Sequence, residues 1–183
     1  MARVLVPLAQ GFEELEAVTV VDLLRRAGIE VVTAGLVPGP VRASRGVLVV
    51  PDTTLDAVLT EPFDLVVLPG GREGAERLGA DDRVRELLES TFQGGRYVAA
   101  ICAAPRVLAE AGILAGKSAT GFPGTLDGLE DRMSRRTSES VVTDGTVVTS
   151  RGPGTALEFS LELIRLLAGP ARRDEVDAQL QRP

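Results

Sequence analysis

A lone cysteine follows the apolar run Tyr97-Val98-Ala99-Ala100-Ile101, and Ala103-Ala104-Pro105 after it reads as the opening of a helix. Small residues let the backbone turn sharply there. A helix N-terminus would aim free N–H groups and a positive dipole end at the sulfur of Cys102, favouring the thiolate. That arrangement resembles a nucleophile at a strand-to-helix elbow. The alternative is an inert cysteine packed in the core, where a free thiol sits comfortably. Glu16 is the second informative residue. At helical spacing it shares a stripe with Val20, Leu23 and Ala27, while Glu13 and Glu14 fall elsewhere. Desolvation raises the pKa of a carboxyl on a buried stripe, and a nearby thiolate raises it further, so Glu16 could hold a proton and donate a hydrogen bond to sulfur. The alternative is a first-turn glutamate that stabilises its own helix dipole.

Two loops could supply anion-binding amides. Leu68-Pro69-Gly70-Gly71 joins a strand to a helix, so its N–H groups could form an oxyanion site near Cys102, or simply make the turn. Ser150-Arg151-Gly152-Pro153-Gly154-Thr155 could bind an anion or only cap the helix behind it. The absence of histidine is as informative as either loop. It excludes Cys-His and Ser-His dyads and histidine-ligated zinc, so any proton transfer must use a carboxyl or the thiol. Lys117, the only lysine, lies in a Gly-Lys-Ser turn without the rest of a phosphate-binding loop.

Elements that could position these residues alternate along the chain. Runs rich in Val and Leu at 3–8, 30–34, 64–68, 96–102 and 146–150 read as strands. Their near-continuous hydrophobicity fits strands buried on both faces of a parallel sheet. Helices are expected over 12–27, 81–91, 104–111, 155–167 and 172–180, with a short acid-capped turn near Leu55. Gly28 and Gly169 are placed as C-caps and Pro105 in a first turn. Residues 36–50 and 140–148 look like hairpins, the second turning at Asp144-Gly145. The alternation implies a doubly wound α/β fold, in which ligands gather beyond the carboxyl ends of the strands. Those ends carry the loops 9–12, 69–74 and 102–105.

With 183 residues, 44% of them hydrophobic and 25% charged, the chain suits one globular domain, residues 1–183. A net charge of -6 with no basic run argues against nucleic acid, and no apolar stretch reaches membrane-spanning length. One cysteine cannot form an internal disulfide, so a cytoplasmic location is expected.

Taken together, Ala9-Gln10-Gly11-Phe12-Glu13-Glu14-Leu15-Glu16, Val67-Leu68-Pro69-Gly70-Gly71, Ala100-Ile101-Cys102-Ala103-Ala104-Pro105, Thr120-Gly121-Phe122-Pro123 and Ser150-Arg151-Gly152-Pro153-Gly154-Thr155 resemble the ThiJ/PfpI family. The likeness is to the branch of the Parkinson-disease protein deglycase and bacterial YajL, and it runs from the first strand to the last helix. The resemblance implies a flavodoxin-like three-layer sandwich, a mainly parallel sheet with helices on both faces, and a homodimer. It implies Cys102 as nucleophile and Glu16 as its protonated neighbour, with Gly70, Gly71 and Ala103 lining the site by their amides. Arg45 and Arg151 match positions near the thiol and the dimer interface, and Leu15 and Val18 could then face the other subunit. Several members of the family carry a histidine close to the cysteine where this chain has Phe122, so protease activity is not expected.

A thiolate beside a proton-carrying glutamate suits a cysteine-dependent enzyme acting on reactive dicarbonyls such as methylglyoxal and glyoxal, or on their early protein adducts. Neither a metal nor an organic cofactor is required. The alternative is an oxidative-stress sensor or redox-controlled chaperone using the same oxidisable thiol.

Overall fold

The computed structural model describes residues 1–182. Its first half lays down β1 (Arg3–Leu8), α1 (Glu14–Arg26), β2 (Glu30–Gly35), the short pair β3 (Val41–Arg42) and β4 (Leu48–Val49), β5 (Thr53–Thr54), α2 (Leu55–Val58), β6 (Leu65–Leu68), α3 (Arg72–Ala80) and α4 (Asp82–Gln93). The second half adds β7 (Tyr97–Ile101), α5 (Pro105–Glu110), β8 (Ser118–Ala119), β9 (Arg135–Arg136), β10 (Val141–Asp144), β11 (Val147–Ser150), α6 (Ala156–Ala168) and α7 (Pro170–Gln179).

Seven strands form the main sheet in the order β10-β11-β7-β6-β1-β2-β5. Every pairing in it is parallel except β10 with β11, which closes one edge as an antiparallel hairpin. All residues of β6 and β11 are buried, and all but the first of β1 and β7, as two-sided cover requires. One apolar cluster unites Leu5, Val66 and Ala100 with side chains of α3, α4 and α5; the other unites Val4, Val67 and Ile101 with α1, α6 and Val176 of α7. Helices therefore cover both faces of this mainly parallel sheet, giving the flavodoxin-like sandwich. Among the described residues no helix is long and apolar enough to cross a membrane.

Strand β1 lies at the switch point of this order: the chain next adds β2 on one side and later β6 and β7 on the other. The carboxyl ends of β1, β6 and β7 thus converge on one crevice. The strands expected from hydrophobicity are present with ends moved by a residue or so; β7 stops at Ile101, which leaves Cys102 outside the ladder. The expected helices are present too, although α7 begins earlier, at Pro170. One helix escaped the pattern: α3 runs through residues 72–74, read as the end of a loop, and residues 75–80, to which the pattern assigns no element. Gly74 and Gly79 dilute its helical signal. Gly74 has a packing reason, since a Cβ there would come 2.6 Å from the Phe12 backbone nitrogen. Of the two expected hairpins, β10–β11 belongs to the main sheet and β3–β4 forms a separate pair.

Candidate active site

Cys102 has a φ of 63°, in the left-handed region that a residue with a Cβ seldom occupies. The conformation is held from both sides. Cys102 N–H donates to the Ser150 carbonyl at 3.0 Å, and the Cys102 carbonyl accepts from Phe122 N–H at 2.8 Å. The chain bends abruptly between β7 and α5, and the thiol is turned inward with 9% of the residue exposed.

Glu16 lies in the first turn of α1, on the stripe it shares with Ala17, Val20, Leu23 and Leu24, and is fully buried. Its Oε2 accepts from Gly70 N–H at 2.8 Å. Its Oε1 is buried without a hydrogen-bond partner, and the Cys102 thiol is the side chain whose hydrogen bonding acts on this carboxyl. The Gly70 carbonyl accepts from Glu13 N–H at 2.9 Å, which ties the loop after β6 to the start of α1. Only glycine fits at position 70. A Cβ would come within 2.6 Å of both the Cys102 Cβ and Glu16 Oε2.

Burial pushes the Glu16 carboxyl up from its ordinary 4.5 to about 7, against the opposing Gly70 hydrogen bond, with Glu13 adding a like charge. Burial likewise pushes the Cys102 thiol up to about 12 when Glu16 is ionised, and the charge and hydrogen bonding of Glu16 add to the rise. Hydrogen bonds from the Gly71 and Ala103 amides work the other way. The elbow alone therefore does not produce a thiolate here, contrary to the direction that a helix N-terminus suggests by itself. Between about 7 and about 12 the two groups share one proton and one negative charge. The Gly71 and Ala103 amides lower the thiol, and the Gly70 amide lowers the carboxyl.

Five residues singled out from sequence come together: Cys102, Glu16, Gly70, Gly71 and Ala103. Arg45 and Arg151 make no bond to that group. Arg45 is exposed beside the β3–β4 pair, its backbone N–H donating to Glu14 Oε1 at 2.9 Å. Arg151 is exposed after β11, where its Nη1 donates to the Ser138 carbonyl at 3.1 Å. In the other strand-to-helix loop, Thr155 Oγ1 accepts from Gly152 N–H and contacts Ser150 Oγ. Sequence reasoning missed Ser44, whose hydroxyl lies 2.8 Å from Glu13 Oε2 and 3.0 Å from Glu14 Oε2 and shares its one proton between them, anchoring Arg45 and its neighbours to α1. Its partners are about thirty positions away, and no local pattern signals them. Among the described residues no group of three or more His, Cys, Asp or Glu is placed to hold a metal ion.

A model described as the DJ-1/PfpI family matches residues 2–166. Protein dj-1beta of Drosophila melanogaster is 48% identical over 173 residues, covering 94% of this chain and 92% of its own length. Glutathione-independent glyoxalase DJR-1.2 of Caenorhabditis elegans is 34% identical over 179 residues, covering 96% and 92%. Among solved structures, Drosophila melanogaster DJ-1beta superposes with a TM-score of 0.95 at 47% identity, covering 98% of this chain and 97% of that one. Oxidized Toxoplasma gondii DJ-1 gives 0.94 at 40% identity, covering 98% of each chain.

Proposed function

The chain belongs to the DJ-1/PfpI family, and from that premise we propose that it is a cysteine-dependent glyoxalase acting on methylglyoxal and glyoxal, with early dicarbonyl adducts of proteins as further substrates. The observation that carries the reading is a buried carboxyl, raised to about 7, against a thiol on a positive-φ elbow with two amides at its sulfur.

In this reading the shared proton sits on Glu16 and the charge on Cys102. The thiolate adds to the aldehyde carbon of methylglyoxal, forming a C–S bond while the carbonyl oxygen takes the Glu16 proton. The amides of Gly71 and Ala103 stabilise the developing oxyanion, while Gly70 N–H stays on Glu16. Glu16, now a carboxylate, removes the proton from the hemithioacetal carbon and returns it to the adjacent carbon through an enediol. The product is a lactoyl thioester on Cys102. Water hydrolyses it to lactate and restores the thiol, so the net reaction is methylglyoxal plus water giving lactate. Glyoxal gives glycolate by the same path. The DJR-1.2 glyoxalase supports the substrate class.

The test is lactate formation by purified protein freed of metal and glutathione. Cys102→Ala is expected to abolish turnover, and Glu16→Gln to lower kcat by about a hundredfold or more. Turnover that survives both substitutions would reject the reading. A second use of the same thiol is as an oxidation sensor or redox-controlled chaperone, and a relative from Toxoplasma gondii has been solved in an oxidized form. That use requires mild peroxide to add two oxygens to Cys102 stably, which intact mass measures.

We assign the whole chain to one cytoplasmic domain and give its apolar strip to a second copy of the chain. Leu15 and Val18 are each 51% exposed on the side of α1 away from Glu16. Val47, Leu48 and Val50 are exposed around β4, in the segment that Ser44 fastens to the same helix.

A further inference from the structure

The surroundings of Phe122 suggest a use for its ring. Among the described residues it is the one aromatic side chain counted with the large exposed apolar groups, half of its surface being open. Its N–H is bonded to the Cys102 carbonyl at 2.8 Å, so the turn that holds the elbow also carries the ring. The ring lies against bare backbone: a Cβ at Gly152 would come 3.3 Å from its Cδ2. Gly121 continues this floor to the elbow, a Cβ there lying 3.3 Å from the Cys102 carbonyl oxygen.

Phe122, Arg136, Ser138 and Arg151 are among the residues that line a groove of about 290 Å³ on this side of the elbow. Asp127 also lines it, but its carboxylate is paired with Arg136, which has Glu130 at 3.9 Å as well. Arg151 is different. Its guanidinium donates to one neutral carbonyl, Ser138 O, and among the described residues it forms no ion pair. The groove therefore offers an aromatic ring and a cation with uncommitted N–H donors.

We infer that this groove is a subsite for the substituent of the carbonyl substrate, selecting α-oxoaldehydes that carry a flat aromatic or apolar group ending in a carboxylate. The ring of the substituent packs on Phe122, and its carboxylate accepts from Arg151. The assignment rests on the glyoxalase reading for the identity of the reacting group, and it adds the group beside it.

Alkylation of Cys102 tests the subsite without requiring turnover, because the chain has a single cysteine. Rates with iodoacetamide, N-phenyliodoacetamide and N-(4-carboxyphenyl)iodoacetamide are each divided by the rate with N-acetylcysteine. In the native protein the phenyl reagent should exceed iodoacetamide by about fivefold, and the carboxyphenyl reagent should exceed the phenyl one by about tenfold. Phe122→Ala should cancel the first ratio, with Phe122→Leu between. Arg151→Gln should cancel the second. Equal normalised rates for the three reagents, or ratios unchanged by both substitutions, overturn the inference even if methylglyoxal is consumed. The expected ratios in a protein that converts neither methylglyoxal nor phenylglyoxal would support the subsite and reject the glyoxalase reading.

Discussion

Glu16 is held in an environment that opposes its ionisation, and the opposition has a thermodynamic consequence. Its carboxyl is raised in the folded protein from 4.5 to about 7, first by burial. A raised acid stabilises the fold fully below the unfolded value, and that contribution is lost as pH rises through the folded value. The native protein should therefore lose stability between pH 4.5 and about 7 relative to Glu16→Gln, which has nothing to ionise. By pH 8 the variant should be the more stable by about 1–3 kcal/mol in denaturant unfolding, a difference that shrinks toward zero near pH 4. A gap independent of pH would mean that the carboxylate is well solvated or fully compensated. The stripe position of Glu16 is plain from helical spacing, whereas its buried partners are not: Gly70 is 54 positions away. Cys102 was legible as an elbow from its small neighbours, but the rise of its thiol was not, because burial and the Glu16 charge are tertiary properties.

At the scale of elements, the elbow stores strain that β7 and α5 impose on one residue. Positive φ costs a residue with a Cβ about 1 kcal/mol or more, and glycine escapes most of that cost. Cys102→Gly should accordingly be more stable than Cys102→Ala by about 1 kcal/mol in thermal or denaturant unfolding, the reverse of the order expected inside a helix or strand. The strand ladder was readable because buried parallel strands are nearly unbroken apolar runs. The misread stretch, α3, was hidden by two glycines, one of them required by close approach to Phe12 rather than by a turn. A glycine conserving space looks the same in sequence as a glycine breaking a helix.

For the whole molecule, the sheet order concentrates the ends of β1, β6 and β7 at one crevice and leaves an apolar strip on α1 and beside β4 outside both cores. If a second copy covers that strip, Leu15→Asp together with Val18→Asp should convert a dimer to monomers in sedimentation velocity at micromolar concentration. The native protein sedimenting as a monomer would remove that role from the strip. The main sheet and its two helical layers followed from alternation of strand and helix. The short β8–β9 pair has two residues per strand, too few for a period-two pattern to register.

The central claim is that the proton shared by Cys102 and Glu16 rests on the carboxyl and the charge on sulfur. Ultraviolet absorbance of the thiolate against pH, in the native protein and in Glu16→Gln, reads this directly. With the charge on sulfur, the native thiolate forms well below the free-thiol value of about 8.5, and its midpoint moves upward in Glu16→Gln, where the carboxyl proton no longer supports the thiolate. A native thiolate that forms only toward about 12, and at lower pH once Glu16 is replaced, would place the charge on the glutamate and contradict it.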